Sequence, residues 1–479
     1  FQTDEEIDRF LFIPELINVV LKDVRHYKKL IEDGLWINGK KFVRLLAGSG
    51  MLRRNTIQFV EESIGEILRP ILDCERNREV PITPAKYNAY FGLCSSATYE
   101  VSMPRFTVVP DCEITKSRLV DFVKENPGED DTVEERMMEI SSNLFDGQGI
   151  LSKEYSEQWA LELNLNFVPN AFIFRGAFAK GLLVAWDFYK FAKEVAGKSV
   201  IIDVWGDEVD VNDLDCILTA SQAKLWSSYK NCKDYREKCE KNNFGWGVSR
   251  WNPKRDKDTF LSSYQLLQVL DLNQEQIEKL CEQTVSWISD ISGGNVNHAL
   301  LYLLGKMCDS EQEELKDDWF LQLEPILQAI LLNKDCFKDA YIKKSIYQSL
   351  NKRIKDARLG KILINGNWQF ILFDLFAFCQ HIFGMEVTGL LSEGEHYSYY
   401  WNRKHVNKVV AARSPLTWKS EFNKLSLKKS ELLDEWFGHL KSGIVHSCFG
   451  NDVLYYADGD GDGDLIASTD NEQFLSGIS

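Results

Sequence analysis

The stretch Tyr455-Tyr456-Ala457-Asp458-Gly459-Asp460-Gly461-Asp462-Gly463-Asp464-Leu465-Ile466 sets four aspartates in alternation with glycines. The apolar run Val453–Tyr456 precedes it and Leu465-Ile466-Ala467 follows, so both flanks read as strands. Glycine tolerates positive φ and lets a ligand approach the backbone closely. In a tight loop the carboxylates converge and repel one another, and full ionisation then needs a cation. Only oxygen ligands are on offer, which points to a hard ion, Mg2+ or Ca2+.

Three readings compete for this loop. The first is a solvated acidic turn. The second is a calcium loop starting at Asp458, in which Asp460, Asp462 and Gly463 meet the EF-hand pattern but Thr469 stands where the bidentate glutamate belongs. The third is a catalytic Mg2+ site on a strand-to-strand loop, with Asp460, Asp462 and Asp464 as ligands.

Composition narrows the class. The 479 residues suffice for roughly two to four domains. A net charge of −16 argues against a generally basic nucleic-acid coat. A basic channel in an acidic body is still compatible with it. Eleven scattered cysteines include no CxxC pair, which disfavours a zinc ribbon and suits thiols in a reducing, cytoplasmic setting. No stretch approaches the roughly 20 apolar residues of a membrane span, and no signal-peptide pattern is visible. The chain opens at Phe1 and is expected to be a fragment or a processed piece of a longer protein.

Four regions follow along the chain. Residues 1–80 read as mostly helical, from the spacing of Ile17, Val20, Leu21 and Val24 and of Ile57, Val60, Ile64, Ile67 and Leu68. Within them Gly48-Ser49-Gly50-Met51-Leu52-Arg53-Arg54 is either a phosphate-holding turn or a plain capped turn with exposed charge. Residues 81–235 turn to β-branched and aromatic runs, with a charged loop at 124–136 leading into a helix and an Asp146-Gly-Gln-Gly turn before a helix near Ser152. Residues 236–355 read as a helical connector, with one series from Leu266 to Ile288 and another from Leu321 to Leu331. Trp246, Arg250 and Trp251 there suit aromatic packing at a domain edge better than base stacking. Residues 356–479 return to strands, including runs around Asn365-Gly366 and at Tyr399-Tyr400-Trp401.

The order of short motifs carries more than any one of them. Asp460-Gly461-Asp462-Gly463-Asp464 resembles the Asp-x-Asp-Gly-Asp signature of the two-barrel RNA polymerases, which include the RNA-silencing RNA-dependent enzymes and single-chain phage enzymes. An Asp-Gly-x-Gly turn, then Phe172-Ile-Phe-Arg175-Gly-Ala-Phe-Ala-Lys180-Gly181, then Ser221-Gln222-Ala223-Lys224 is similar to the first double-psi β-barrel of that superfamily. Arg413-Ser414-Pro415 resembles the Arg-x-Pro segment ahead of the aspartate loop in the second barrel.

The resemblance implies an α+β chain with two double-psi β-barrels, the first in 81–235 and the second in 356–479, joined by the helical insert and preceded by the helical N-terminal region. It also implies a template-directed RNA polymerase using Mg2+, ribonucleoside triphosphates and a nucleic-acid template, with RNA as product. By position, Lys180 and Lys224 match the family lysines that contact the nascent 3′ end and the incoming phosphates, and Arg413 the arginine that reads the incoming ribonucleotide near its sugar. Arg175 is carried over as a second substrate-binding residue.

Two departures stand out. The Arg-Pro that often precedes the serine of the Ser-x-x-Lys segment is missing, and Gly461 replaces a bulky residue in the aspartate loop. The extra Asp458-Gly459 leaves a second register, Asp458/Asp460/Asp462; the apolar strand directly after Asp464 favours the register ending there. DNA and RNA templates both stay open. A calcium-stabilised or structural nucleic-acid-binding protein, an inactive or truncated polymerase module, is the alternative.

Overall fold

The computed structural model describes residues 13–22, 27–128, 130–304, 320, 323–416, 419–456 and 459–478. Val24, Glu129, Leu321, Ala457 and Asp458, which take part in the patterns above, lie outside the described residues. The chain divides into two units, one of residues 1–252 with 377–388, the other of 253–376 with 389–479. Among the described residues no helix is long and apolar enough to cross a membrane.

The first unit begins with an antiparallel sheet in the order Leu16–Val20, Thr56–Glu61, Lys40–Leu46, Leu35–Ile37. This departs from the mostly helical reading of 1–80, although a helix does run over Glu62–Leu72. The period is two where three to four was read: Ile17 and Val19 pair with Phe59 and Ile57 and pack in one apolar cluster with Phe42 and Ala47. A short run rich in β-branched residues satisfies both periods until its partner strands are known.

The main sheet of this unit has seven strands in the order Tyr99–Val101, Trp246–Trp251, Ala171–Gly176, Ala179–Ala185, Gln148–Leu151, Cys216–Thr219, Phe106–Val109. Trp246–Trp251, placed by sequence in the helical connector, is thus a strand of this sheet, and its Trp246 ring stacks 4.8 Å from Phe174. Ser152 caps the helix Lys153–Glu162 by accepting from the Tyr155 amide, as its sequence position leads one to expect. The charged segment 124–136 does not lead into a helix. It turns a long hairpin in which Glu113–Lys124 pairs with Thr132–Asn143.

The second unit holds a closed barrel of six strands, in the order Asn367–Phe373, Gly443–His446, Glu395–Tyr397, Phe422–Leu427, Lys408–Arg413, Leu465–Thr469. Two neighbouring pairs are parallel, Phe370–Phe373 with Gly443–His446 and Glu395–His396 with Ser426–Leu427. The run Val409–Ala412 is apolar throughout because both of its faces are covered. Val409 and Ala411 pack with Ile371, Trp401, Leu425, Ile444 and Ile466, while Val410 and Ala412 pack with Phe260, Leu266 and Phe474. Of the two expected helical series, the first is split into Tyr264–Gln268 and Gln274–Ser292 and the second holds the helix Pro325–Leu332; Val296–Leu303 and Ala340–Arg358 join them around Ile291, Leu300, Ile330 and Ile346.

Two strand expectations in this unit change. Tyr399–Arg403 is a short helix, capped by Ser398 accepting from the Trp401 amide. Asn365-Gly366 is a sharp corner without a hairpin, since Leu363–Asn365 pairs with Thr259–Leu261 while Asn367–Phe373 enters the barrel. Gly366 has φ +145°, and a β-carbon there would lie 2.2 Å from the Ser468 carbonyl oxygen. Gly366→Ala should therefore lower stability by about 2 kcal/mol through backbone strain and overlap, read as an earlier urea midpoint with an unchanged slope.

Candidate active site

The aspartate loop leaves the barrel after Gly443–His446 and returns in Leu465–Thr469. Its incoming flank is not the strand the apolar run suggests. Asp452–Tyr455 forms one helical turn that exposes Leu454 and Tyr455 and buries Tyr456 completely. A closed barrel has no free edge on which such a strand could pair. On the outgoing side the Ile371 amide donates to the Asp464 carbonyl at 3.0 Å, so Asp464 sits where the loop joins the sheet.

Between these anchors the loop folds on itself. The Asp460 amide donates to Asp464 Oδ2 at 3.4 Å and the Asp462 amide to Asp460 Oδ1 at 3.3 Å. Gly463 has φ +120°, a conformation that side chains resist. A β-carbon on Gly459 would come within 3.0 Å of the Tyr456 side chain and 3.3 Å of Ile371. Carboxylate oxygens of Asp460, Asp462 and Asp464 all lie within 4.8 Å of one another, and all three residues are partly buried. The donor set is entirely carboxylate oxygen, so the residues present fit a hard divalent cation. Asp458, the third ligand in the alternative register, lies outside the described residues.

Arg413 is the loop's positive counterpart. It pairs across the barrel seam with Ile466, which brings its guanidinium to the loop. Its Nε lies 2.8 Å from Asp464 Oδ2, and its Nη1 reaches the Tyr456 carbonyl at 3.5 Å. Burial raises the Asp464 carboxyl above the usual range, and the neighbouring guanidinium offsets only part of that rise.

Beneath the loop lies a polar layer that sequence reasoning missed. The His446 Nε2 is 3.3 Å from the Tyr456 hydroxyl, and the His396 Nε2 is 3.1 Å from Asp452 Oδ2. The Asn423 amide donates to the Asp452 carbonyl at 3.1 Å, and the two imidazoles meet edge to face at 5.1 Å. These contacts tie the one-turn helix, and hence the start of the loop, to three barrel strands. Tyr456 stood in the motif itself, but only as part of an apolar run. Nothing in the local pattern distinguishes His396 or His446 from an ordinary strand residue.

In the first unit the expected lysines are neighbours through their backbones. Ala171–Gly176 and Ala179–Ala185 form a hairpin in which Arg175 pairs with Lys180. The Lys180 amide donates to the Gln222 carbonyl at 3.2 Å, the Lys224 amide donates to the Phe178 carbonyl at 3.0 Å, and Ala179 bridges Ala223. Both lysines are partly buried. Arg175 Nη1 donates to the Phe174 carbonyl at 2.8 Å.

Gln222 holds this arrangement together and was read in the sequence only as a spacer. It is fully buried, and its amide nitrogen donates to the Gly147 and Leu182 carbonyls, each at 3.0 Å, while its oxygen accepts from the Thr219 amide at 3.2 Å. Gly149 and Gly181 leave room for it: β-carbons there would fall 2.4 and 2.5 Å from the Gln222 amide group. Ser221 joins the same corner by accepting from the Gly147 amide at 3.1 Å. Gly149 of the Asp146-Gly-Gln-Gly turn and Gly181 thus share one reason.

The chain belongs to the RNA dependent RNA polymerase family, whose pattern it matches over residues 15–478. It is similar to the DNA-directed RNA polymerase YonO of Bacillus phage SPbeta, with 28% identity over 455 residues, covering 92% of this chain and 50% of that protein. Its fold is like that of the RNA dependent RNA polymerase QDE-1 from Thielavia terrestris, with a TM-score of 0.61, 14% identity and coverage of 97% of this chain and 50% of that one. The chain therefore spans about half the length of both relatives.

Two outcomes follow from this geometry. Gln222→Leu leaves the buried Thr219 amide without its acceptor and takes a second donor from the Gly147 carbonyl, which keeps the Leu182 amide; it should cost about 1–3 kcal/mol of stability in the first unit, measured by urea unfolding. Burial holds His446 neutral, with a pKa lowered to about 4. An unfolded chain regains the ordinary value near 6.5. Between these values the unfolded state binds more protons, so the second unit loses stability as pH falls from about 6.5 to 4. His446→Gln should flatten that limb of a melting-temperature profile; an identical slope in the variant would remove His446 as its source.

Proposed function

We propose that this chain is the catalytic part of a template-directed RNA polymerase, adding ribonucleotides to an RNA 3′ end. The convergence of Asp460, Asp462 and Asp464 at the seam of a closed barrel, in a member of the RNA dependent RNA polymerase family, carries this reading. In it the six-stranded barrel and the seven-stranded sheet are the two double-psi barrels of the superfamily. Template, RNA product and ribonucleoside triphosphates are the partners, and the reaction takes place in the cytoplasm, that of a host if the chain is phage-encoded.

The proposed chemistry is in-line displacement. The 3′-oxygen of the RNA forms a bond to the α-phosphorus, the bond from that phosphorus to the β-phosphate bridge breaks, and pyrophosphate leaves. A divalent ion held at the aspartate loop, proposed as Mg2+, would supply the Lewis acidity that eases loss of the hydroxyl proton. Asp460, Asp462 and Asp464 are the ligands. Arg413 keeps Asp464 in place through its Nε and offers its planar donors to the ribose and phosphate of the incoming nucleotide. Lys180 and Lys224 offset negative charge that develops on the phosphates, and Arg175 assists in substrate binding.

Template choice is tested together with activity, because one relative is named for DNA and the other for RNA. The purified chain is given labelled ribonucleotides and Mg2+ with single-stranded DNA and single-stranded RNA in parallel. Incorporation on one of them is expected, reduced roughly 1000-fold or more in Asp462→Ala. Lys180→Ala should lower turnover about 100-fold with template affinity little changed. Full incorporation by Asp462→Ala would sink the assignment of the loop. Tight Ca2+ binding without incorporation would make the loop a structural staple.

A further inference from the structure

The N-terminal sheet of the first unit has one face closed and one face partly open. Ile17, Val19, Ile57 and Phe59 fill the closed face. On the opposite face Leu16 pairs with Val60 and both pack into the large core of the unit. Two residues further along, the same face turns polar: Asn18 pairs with Gln58, and Thr56 follows. Neither amide side chain makes a hydrogen bond to any described residue. Asn18 is exposed and Gln58 partly buried, so both amide groups stand open to a ligand from solvent.

These residues line a cleft of about 590 Å3, bounded on its other sides by the Gly48–Arg54 segment and by Gly92, Leu93 and Ser96. A volume of this order is within the usual range for small-ligand sites. Gly48 and Gly92 set its width: a β-carbon on Gly92 would lie 3.0 Å from the Gly48 α-carbon. The chain carries 72 acidic residues against 56 basic ones, yet no carboxylate lines the cleft. Its charged lining residue is Arg54, which forms no ion pair with any described residue. The Thr56 hydroxyl donates to the Arg54 carbonyl at 3.1 Å, which fixes the turn that carries the guanidinium.

We propose that this cleft binds one nucleotide unit, phosphate and base together, through residues that are none of those in the metal loop. Arg54 takes the phosphate as a charge-assisted, bidentate donor. Asn18 and Gln58 each present a donor and an acceptor, the complement needed for a base edge. Met51 and Leu93 offer apolar contact for the base plane. The absence of carboxylates matters as much as the arginine, because a second anion would otherwise be repelled. The nucleotide unit comes either free or as part of a strand.

The test is fluorescence anisotropy of the whole chain in EDTA, so that metal-dependent binding at the aspartate loop is silent. The probes are fluorescein-labelled AMP and a labelled RNA tetramer. Wild-type chain is expected to bind one of them, and Arg54→Ala and Gln58→Leu are expected to weaken that binding about tenfold each, with Arg54→Lys intermediate. Weakening with AMP assigns a free nucleotide; weakening with the tetramer alone assigns a strand. Arg54 is exposed, and unchanged melting of its variants separates lost contact from lost fold. No binding of either probe by the wild type, or equal binding by both variants, overturns the proposal. Ribonucleotide incorporation is scored separately, so either result leaves the polymerase reading to its own assay.

Discussion

Three carboxylates held within 4.8 Å of one another repel, and the second unit is built to keep them together in spite of it. The loop is anchored at both ends in the barrel, by the Ile371–Asp464 backbone bond on one side and the buried Tyr456 on the other. Arg413 bridges the two anchors, touching Asp464 with one nitrogen and the Tyr456 carbonyl with another. Glycines at 459 and 463 remove the side chains that would clash or strain in so tight a path. Close negative charge is the resource such a site offers a cation. Folding supplies the free energy that keeps it preorganised.

The layer below the loop does the same work by neutral means. His446 is kept uncharged by burial, so it can hydrogen-bond Tyr456 without adding a proton's charge to the barrel interior. Burial pushes Asp452 the other way, but the hydrogen bond and charge of His396 prevail and hold it below the ordinary carboxylate range. The helical turn between them thus carries an ionised acid inside the fold that is paired on the protein's own terms. In the first unit Gln222 is the neutral counterpart: one buried amide satisfies three backbone groups and so fixes where Lys180 and Lys224 emerge.

Much of the fold was legible where pattern and partner agree. The series read from Leu266 to Ile288 has a helix's spacing, and the helix Gln274–Ser292 covers most of it. The segments with too few turns to separate periods misled: Ile17 and Val19, or Tyr399 to Trp401, satisfy a strand or a helix equally until a neighbouring strand exists. Trp246–Trp251 is a strand because Ala171–Gly176 and Tyr99–Val101 flank it, and both lie far away in sequence. Of the site, the aspartates and Arg413 could be found from local motifs. His396, His446 and Gln222 could not, because each matters through a contact with a residue remote in the chain.

The sequence alone holds the chemistry on offer: a run of carboxylates with glycines between them, an arginine two residues before a proline, and lysines in two short segments, Lys180-Gly181 and Ser221-Gln222-Ala223-Lys224. It also determined the class, since the order of those segments along one chain matches a family over nearly its whole length. Only the tertiary structure decided that the three aspartates converge, that Arg413 lies against Asp464, and that the strand expected before the loop is a helical turn. The physical reason is barrel closure. Pairing Lys408–Arg413 and Asn367–Phe373 with the same strand, Leu465–Thr469, joins residues about 55 and about 100 positions apart. No local preference in the chain encodes that distance.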